Sequence, residues 1–286
     1  MIKTWEDNIS LRNKDPYAPK NIGYISDYIS QDDGSVDYKS LGIDAREMAT
    51  RDTAPLPSCV DREGYYGENH FNYWASGLCD MVLMQEWLKK KGRSLNSYLD
   101  IGCASGRVTR HFAAQDPDVS VFGCDINRQH VDWCNAFLPK KVVTFQNTSV
   151  PQLPLPDESI DLVSAFSVFT HIETFDTAWL MELRRILKPG GTAWLTIHGD
   201  RTWSEITPNW PLHNALTTHP DYAQYAGKEV IPEDRMVFRW QSDTSYSANV
   251  FYSYEYIKTQ WGRILDIDDI FPGMPIFQDV VVLTKR

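Results

Sequence analysis

The chain has 286 residues, with 28 Lys and Arg against 38 Asp and Glu, for a formal net charge of −10. Its 42% hydrophobic and 23% charged residues make a globular composition, with length for one large core or two small ones, and exclude a mostly disordered, collagen-like or coiled-coil chain. An acidic balance without a cluster of Lys or Arg lacks the footprint that phosphate neutralisation needs, so no nucleic-acid partner is expected.

Cys59, Cys79, Cys103, Cys124 and Cys134 are odd in number and show no Cys-x-x-Cys spacing, so free thiols are expected in place of a disulfide framework or a zinc site. The opening MIKTWEDNISLRNKD is charged and has no apolar segment of the signal-peptide kind. No apolar run reaches the ~18 residues of a membrane helix. The expectation is a soluble, cytoplasmic protein with no membrane partner, its oligomeric state left open.

Residues 1–60 are rich in Asp, Ser, Asn and Gly and read as an irregular N-terminal arm. Residues 61–96 read as a helical cover: Phe71, Trp74, Leu78 and Val82 recur at helical spacing, Met84, Trp87 and Leu88 follow, and Gly92 stops the pattern. From 97 to 286 the pattern is that of a core in which strands and helices alternate. SYLDIG (97–102), SVFGCDI (120–126), VVTFQN (142–147), IDLVSAFSVF (160–169) and TAWLTIHG (192–199) are strand candidates. Helical segments lie between them at 106–115, after the N-cap candidate Asn127, and at 174–188, where Pro189-Gly190-Gly191 is expected to end the helix. Such alternation predicts a parallel sheet covered on both faces. Residues 200–255 break the rhythm with Trp203, Trp210, Tyr222, Tyr225, Phe238 and Trp240, and read as an inserted lid. YSYEYIKTQWG then reads as a helix, RILDIDDI as a strand with a solvated edge, and FQDVVVLTKR as the last strand.

In LDIGCASGR the first strand ends at Asp100, and Gly102 and Gly106 bracket a tight turn into the next helix. A βα turn without side chains lets a ligand approach backbone N–H groups and the positive end of the helix. The next strand ends in Asp125, 19 residues after Gly106, where a carboxylate accepts hydrogen bonds from ribose hydroxyls. The two together indicate an adenosine-bearing cofactor. A dinucleotide fingerprint, G-x-G-x-x-G, is not met, because Ala104 stands at its second glycine and Arg107 at its third.

Asp100-Ile101-Gly102-Cys103-Ala104-Ser105-Gly106 resembles the first motif of class I S-adenosylmethionine-dependent methyltransferases, acid-x-Gly-x-Gly-x-Gly, with Ala104 as the one departure. VFGCDIN, QLPLPDESIDLV, LRRILKPGGTAWLTIHG and the final FQDVVVLTKR are similar to further segments of that family in the expected order. The resemblance implies an α/β fold: a Rossmann-like, seven-stranded sheet, mostly parallel with the last strand antiparallel, and helices on both faces. It implies S-adenosyl-L-methionine as cofactor and S-adenosyl-L-homocysteine as product. By resemblance, the backbone of Gly102, Cys103 and Gly106 lines the methionine portion, Asp100 lies near its amino group, and Arg62 or Arg107 neutralises its carboxylate. Asp125 holds the ribose, Ile126 packs on adenine, and the adenine edge meets Asn147, Thr148, Ser149 and Val150, a segment without the Asp that the family often has there. Phe166 and Ser167 border the sulfonium, and Tyr73 belongs to an arm closing over the cofactor.

Methyl transfer from a sulfonium is an in-line displacement that needs near-attack geometry and exclusion of water. A hydroxyl nucleophile gains from a base with pKa near neutral. Among the histidines, His198 and His171 fall at strand carboxyl ends, where ligands of open α/β sheets bind, and His198 is the first candidate for the base. No clustering of acidic residues has ligand spacing, and no metal is expected. The functional expectation is methyl transfer to a small-molecule acceptor, an oxygen of a glycan or natural-product precursor. Two other readings stay open: a non-catalytic cofactor-binding or interaction protein on this fold, and an NAD(P)-dependent oxidoreductase.

Overall fold

The structure is a computed structural model that describes residues 18–240, 248–275 and 277–286. Its central feature is a seven-stranded sheet in the order β3-β2-β1-β4-β5-β9-β8. The strands are β1 (Ser97–Ile101), β2 (Ser120–Asp125), β3 (Val142–Gln146), β4 (Ile160–Ala165), β5 (Leu187–Ile197), β8 (Asp266–Phe271) and β9 (Asp279–Thr284). β1 pairs parallel with β2, and β2 with β3, whereas β9 runs antiparallel between β5 and β8. β1, β4 and β9 are buried along their whole length, as strands covered on both faces must be. The acidic β8 is half-buried and forms one edge of the sheet. The fold class expected from the sequence is the one observed.

Two compact units divide the chain, one holding the described residues up to Ser149 with Ile160–Leu162, the other Val150–Ser159 with Val163–Arg286. In the first, a single helix, His70–Lys90, covers the region expected to be helical. Asn69 caps it by accepting from Asn72 N, and Gly92, at φ +67°, follows its end. This helix comes so close to the turn at Arg107 that a Cβ on Gly77 would sit 2.0 Å from the Arg107 carbonyl oxygen. The described part of the arm is built from short 3₁₀ turns and one helix, Ala45–Arg51, that the sequence reading left out. Its signal was present: Asp44 caps Arg46 N and Glu47 N, and Glu47 stands three residues on.

The arm is tied down by an ion pair without access to water. Arg110, on the Thr109–Gln115 helix, donates from Nε to Asp52 Oδ2 at 2.7 Å and from Nη2 to Asp52 Oδ1 at 3.2 Å. The same guanidinium donates to the carbonyls of Ala54 and Pro55, and Trp74 Nε1 donates to Asp52 Oδ2 at 2.7 Å. Arg110 is wholly buried and Asp52 is 5% exposed.

In the second unit the helix Asp176–Ile186 precedes β5. Pro189-Gly190-Gly191 does not end that helix from outside but lies within β5, because Gly190, at φ +79°, donates its N–H to Lys285 O and joins the ladder. The expected lid carries a two-stranded sheet of β6 (Arg235–Arg239) and β7 (Ala248–Tyr252), with an aromatic cluster that includes Trp203, Trp210, Phe238 and Phe251. No long apolar run announced these short strands, and residues 241–247 between them lie outside the described residues. Among the described residues no helix is long and apolar enough to cross a membrane.

Burial pushes the Asp52 carboxyl up, but the Arg110 charge and hydrogen bonds outweigh it and hold it below 3.8. The pair therefore stabilises the fold at neutral pH, and its contribution is lost as pH falls below the usual carboxylate range through the lowered value. Arg110→Met leaves the Asp52 carboxylate buried without its cation and should cost about 3–5 kcal/mol, read by urea unfolding at pH 7.

Candidate functional site

In the first unit the turn after β1 is left-handed three times, at Gly102 (φ +71°), Ala104 (φ +47°) and Gly106 (φ +77°). Gly106 is required twice over, since a Cβ there would also meet Leu138 Cδ1 at 2.8 Å. Four amides of the turn already have acceptors. Gly102 N and Cys103 N both donate to Cys124 O, Gly106 N donates to Cys103 O, and Ala104 N donates to Asp125 Oδ2 at 2.9 Å. The turn is thus a preformed floor that offers a ligand its shape more than its N–H groups. Cys103 is held by a hydrogen bond to Cys134 and by burial, both of which push its thiol well above the usual range.

Asp125 ends β2 at 7% exposure. Its Oδ2 accepts from Ala104 N and its Oδ1 from Asn127 N at 2.7 Å. A carboxylate has about four lone-pair sites, so two N–H donors orient it and leave capacity for a diol. Next to it Asn147 N donates to Asp125 O, and Asn147 Oδ1 is a buried acceptor with no partner. Ile126 is half-buried, Ser149 is half-buried and Thr148 is exposed.

The two arginines expected at the methionine carboxylate part company. Arg107 donates to Asp80 Oδ2 at 2.5 Å and to Ser76 Oγ at 3.3 Å, on the His70–Lys90 helix. Arg62 is 2% exposed and packs over the Tyr73 ring at 4.8 Å. Its Nη2 bonds Gly67 O and lies 2.8 Å from His70 Nδ1, yet its Nε and Nη1 are buried without a hydrogen-bond partner. Burial lowers its pKa. Arg62 stands beside the glycine turn: Ser105 Oγ donates to Asp61 O, and Tyr73 OH donates to Ser105 O at 3.2 Å. Asp100, 3% exposed, accepts from Thr109 Oγ1 at 2.8 Å, so one of its oxygens faces the start of the next helix.

The second unit holds the remaining expected residues. Ser167, at φ +56°, donates its N–H to Thr196 Oγ1 at 2.6 Å and accepts from Gln278 Nε2 at 2.8 Å, while Phe166 is half-buried and Val150 is 57% exposed. His198 and His171 differ sharply. The His198 ring is 2% exposed, lies 5.0 Å from Phe251 and 5.6 Å from Trp210, and its Nδ1 has no partner. Burial, with a smaller push from His171, lowers its pKa to about 3. His171 is half-buried, and its Nδ1 lies 2.7 Å from Ala248 O. Since a carbonyl only accepts, that bond fixes the proton on Nδ1 and leaves Nε2 as the basic nitrogen.

A parallel sheet with an antiparallel strand between its fifth and edge strands, a glycine turn after β1 and an acid ending β2 together define a Rossmann-like class I methyltransferase domain. The dinucleotide order 3-2-1-4-5-6 lacks that antiparallel strand. Residues 99–195 match the family model described as Methyltransferase domain. An uncharacterized methyltransferase of Schizosaccharomyces pombe is 29% identical over 138 residues, which cover 45% of this chain and 47% of that one. The 27-O-demethylrifamycin SV methyltransferase of Amycolatopsis mediterranei is 32% identical over 140 residues, 44% of this chain and 50% of that one. A crystal structure of a SAM-dependent methyltransferase from Methanosarcina mazei shares the fold at TM-score 0.50 and 18% identity, covering 71% of this chain and 96% of the other. Residues 99–195 are therefore a methyltransferase domain, and its sheet is the one shared with solved SAM-dependent methyltransferases. The chain spans about half the length of the curated relatives it matches.

Thr170, Asn249, Gln278 and the Ala248 carbonyl were absent from the sequence reading. Thr170 precedes His171 in the segment already singled out, whereas nothing local to Asn249 or Ala248 marks them. His111 and His198 both have pKa values lowered to about 3, chiefly by burial. Each stays neutral in the folded chain while the unfolded chain takes up a proton below about pH 6.5. Stability should therefore fall as pH drops from 6.5 towards 3, and in ring-nitrogen NMR neither histidine should titrate between pH 5 and 8.

Proposed function

We propose that this protein transfers a methyl group from S-adenosyl-L-methionine to an oxygen of a small-molecule acceptor of the glycan or natural-product kind, leaving S-adenosyl-L-homocysteine. The observation that carries this reading is a pair of buried, unpartnered polar groups in the first unit: Arg62 Nε and Nη1 beside the glycine turn, and Asn147 Oδ1 beside Asp125. A buried guanidinium with two of its nitrogens unpartnered calls for an anion, and an unpaired buried carbonyl oxygen calls for an N–H donor. A methionine carboxylate and an adenine amino group are those complements, and Asp125 offers lone pairs to a ribose diol. The residues present fit the cofactor.

Bound there, the cofactor supplies an electrophilic methyl group on sulfur. The chain supplies position and dryness. Arg62, packed over the Tyr73 ring, holds the carboxylate end, with the turn at Gly102, Cys103 and Gly106 as the floor, and Asp125 with Asn127 behind it sets the ribose. Ile126 packs on the adenine face, and Asn147 takes the role the sequence reading spread over Thr148, Ser149 and Val150. Arg107 has its charge matched by Asp80 and serves the packing of the turn. In the second unit His171 has the better claim to the base: its Nε2 can accept a hydroxyl proton while Ala248 O holds the Nδ1 proton. His198, neutral and enclosed, is too weak a base near pH 7 and suits contact with the acceptor. Acceptance of a natural-product oxygen has a parallel in the name of the rifamycin-modifying relative.

Calorimetry with S-adenosyl-L-homocysteine tests the reading. Arg62→Met and Asp125→Ala should each weaken binding by about tenfold to a hundredfold, the range for a lost charge-assisted hydrogen bond. Unchanged affinity in both would overturn it. His171→Gln should keep that affinity and lower kcat by about a hundredfold or more, measured by transfer of labelled methyl.

A further inference from the structure

Among the polar side-chain atoms of the second unit that are buried without a hydrogen-bond partner, three come from segments that meet at β7: Thr170 Oγ1 after β4, His198 Nδ1 after β5, and Asn249 Oδ1 on β7 itself. Thr170 is wholly buried, His198 is 2% exposed and Asn249 is 9% exposed. The backbone gathers them. Val250 N donates to Thr170 O at 2.8 Å and Tyr252 N donates to His198 O at 2.9 Å, so Thr170 and His198 are neighbours along one edge of β7. His198 bridges to Phe251 in parallel, and the two rings are 5.0 Å apart. Asn249 lies two residues before Phe251 on the same strand, so both side chains stand on one face. Trp210 adds a wall, 5.6 Å from the His198 ring and 6.0 Å from Phe251.

The chemistry of these atoms limits what complements them. The Asn249 oxygen only accepts, the Thr170 hydroxyl donates or accepts, and the neutral His198 ring has one nitrogen that accepts. Hydroxyl groups satisfy all three. The cations of β6 stand on the other face of the two-stranded sheet: Arg235 and Arg239 lie opposite Tyr252 and Ala248, away from Asn249 and Phe251, with Arg235 over the Tyr252 ring and Arg239 on the Glu173 carboxylate. An anionic group would find no counter-charge here. The aromatic walls suit a flat apolar body.

We propose that Thr170, His198 and Asn249, walled by Trp210 and Phe251, form the acceptor subsite, and that it takes an uncharged, ring-bearing molecule by its hydroxyl groups. This deepens the methyltransferase reading and rests on it for the word acceptor, while the binding itself can be read without turnover.

The test uses the full chain with ¹⁵N-labelled histidine, the His198 signals assigned from His198→Gln, and two probes that share one ring system, 2-naphthol and 2-naphthoate. 2-Naphthol should move the His198 ring-nitrogen signal saturably, and 2-naphthoate should bind at least about tenfold more weakly. Thr170→Val and Asn249→Leu should each weaken 2-naphthol by about tenfold, with Thr170→Ser and Asn249→Gln recovering part of the loss. Urea-unfolding midpoints that match the parent chain show that the variants are folded, and S-adenosyl-L-homocysteine affinity on the same samples stays within about twofold. An unmoved His198 signal, equal binding by the variants, equal binding of the carboxylate, or a crystal grown with 2-naphthol in which ordered water alone bridges the three atoms would overturn the subsite. Cofactor binding with no 2-naphthol binding sinks the subsite and spares the methyltransferase reading; the reverse pattern does the opposite.

Discussion

A guanidinium sealed from water governs the layout of the first unit. Arg110 surrenders its hydration completely, and the cost of that is met only because Asp52, two carbonyls and the indole of Trp74 converge on the same place. Those groups belong to the arm and to the long helix, so satisfying one charge locks both onto the Thr109–Gln115 helix. Ten residues beyond Asp52 the chain reaches Arg62, which therefore arrives beside the glycine turn already fixed in place. A second guanidinium is buried there with part of its hydrogen-bonding capacity unspent. The first arginine is a finished structure; the second is half of one.

The sheet was readable in the sequence because its signals are local. Apolar runs ending at Gly102 and near Asp125 mark strand ends, the run 160–169 holds a strand that stops at Ala165, and Asn127 and Asn69 cap helices through bonds to residues two or three along. The two-stranded sheet of β6 and β7 was not readable, since paired strands of five residues are too short to carry a clear period of their own. The Pro-Gly-Gly segment misled for a related reason: these residues usually stop a helix, and here Gly190 also finds a partner in Lys285, almost a hundred residues away.

The site was legible in outline and not in detail. Gly102, Gly106 and Asp125 declare themselves by spacing, and the choice between Arg62 and Arg107 does not, because it turns on whether Asp80 lies within reach. The order of the two histidines turned on burial, which no motif encodes. His198 occupies the more promising position at the end of a central strand, but the aromatic rings around it strip its basicity, and a carbonyl from β7 orients His171 instead. Asn249 had no signal at all, since its meaning comes from a neighbour fifty residues earlier.

β7 meets the end of β5 through peptide groups as well as rings, in the His198–Phe251 bridge with Tyr252 N on His198 O. Peptide groups are the same in every residue, so the seam tolerates turnover of the side chains on either side of it. Substitutions at Trp203, Trp210 or Phe238 can therefore reshape the aromatic cluster while the peptide contacts that hold β7 at the end of β5 stay in place.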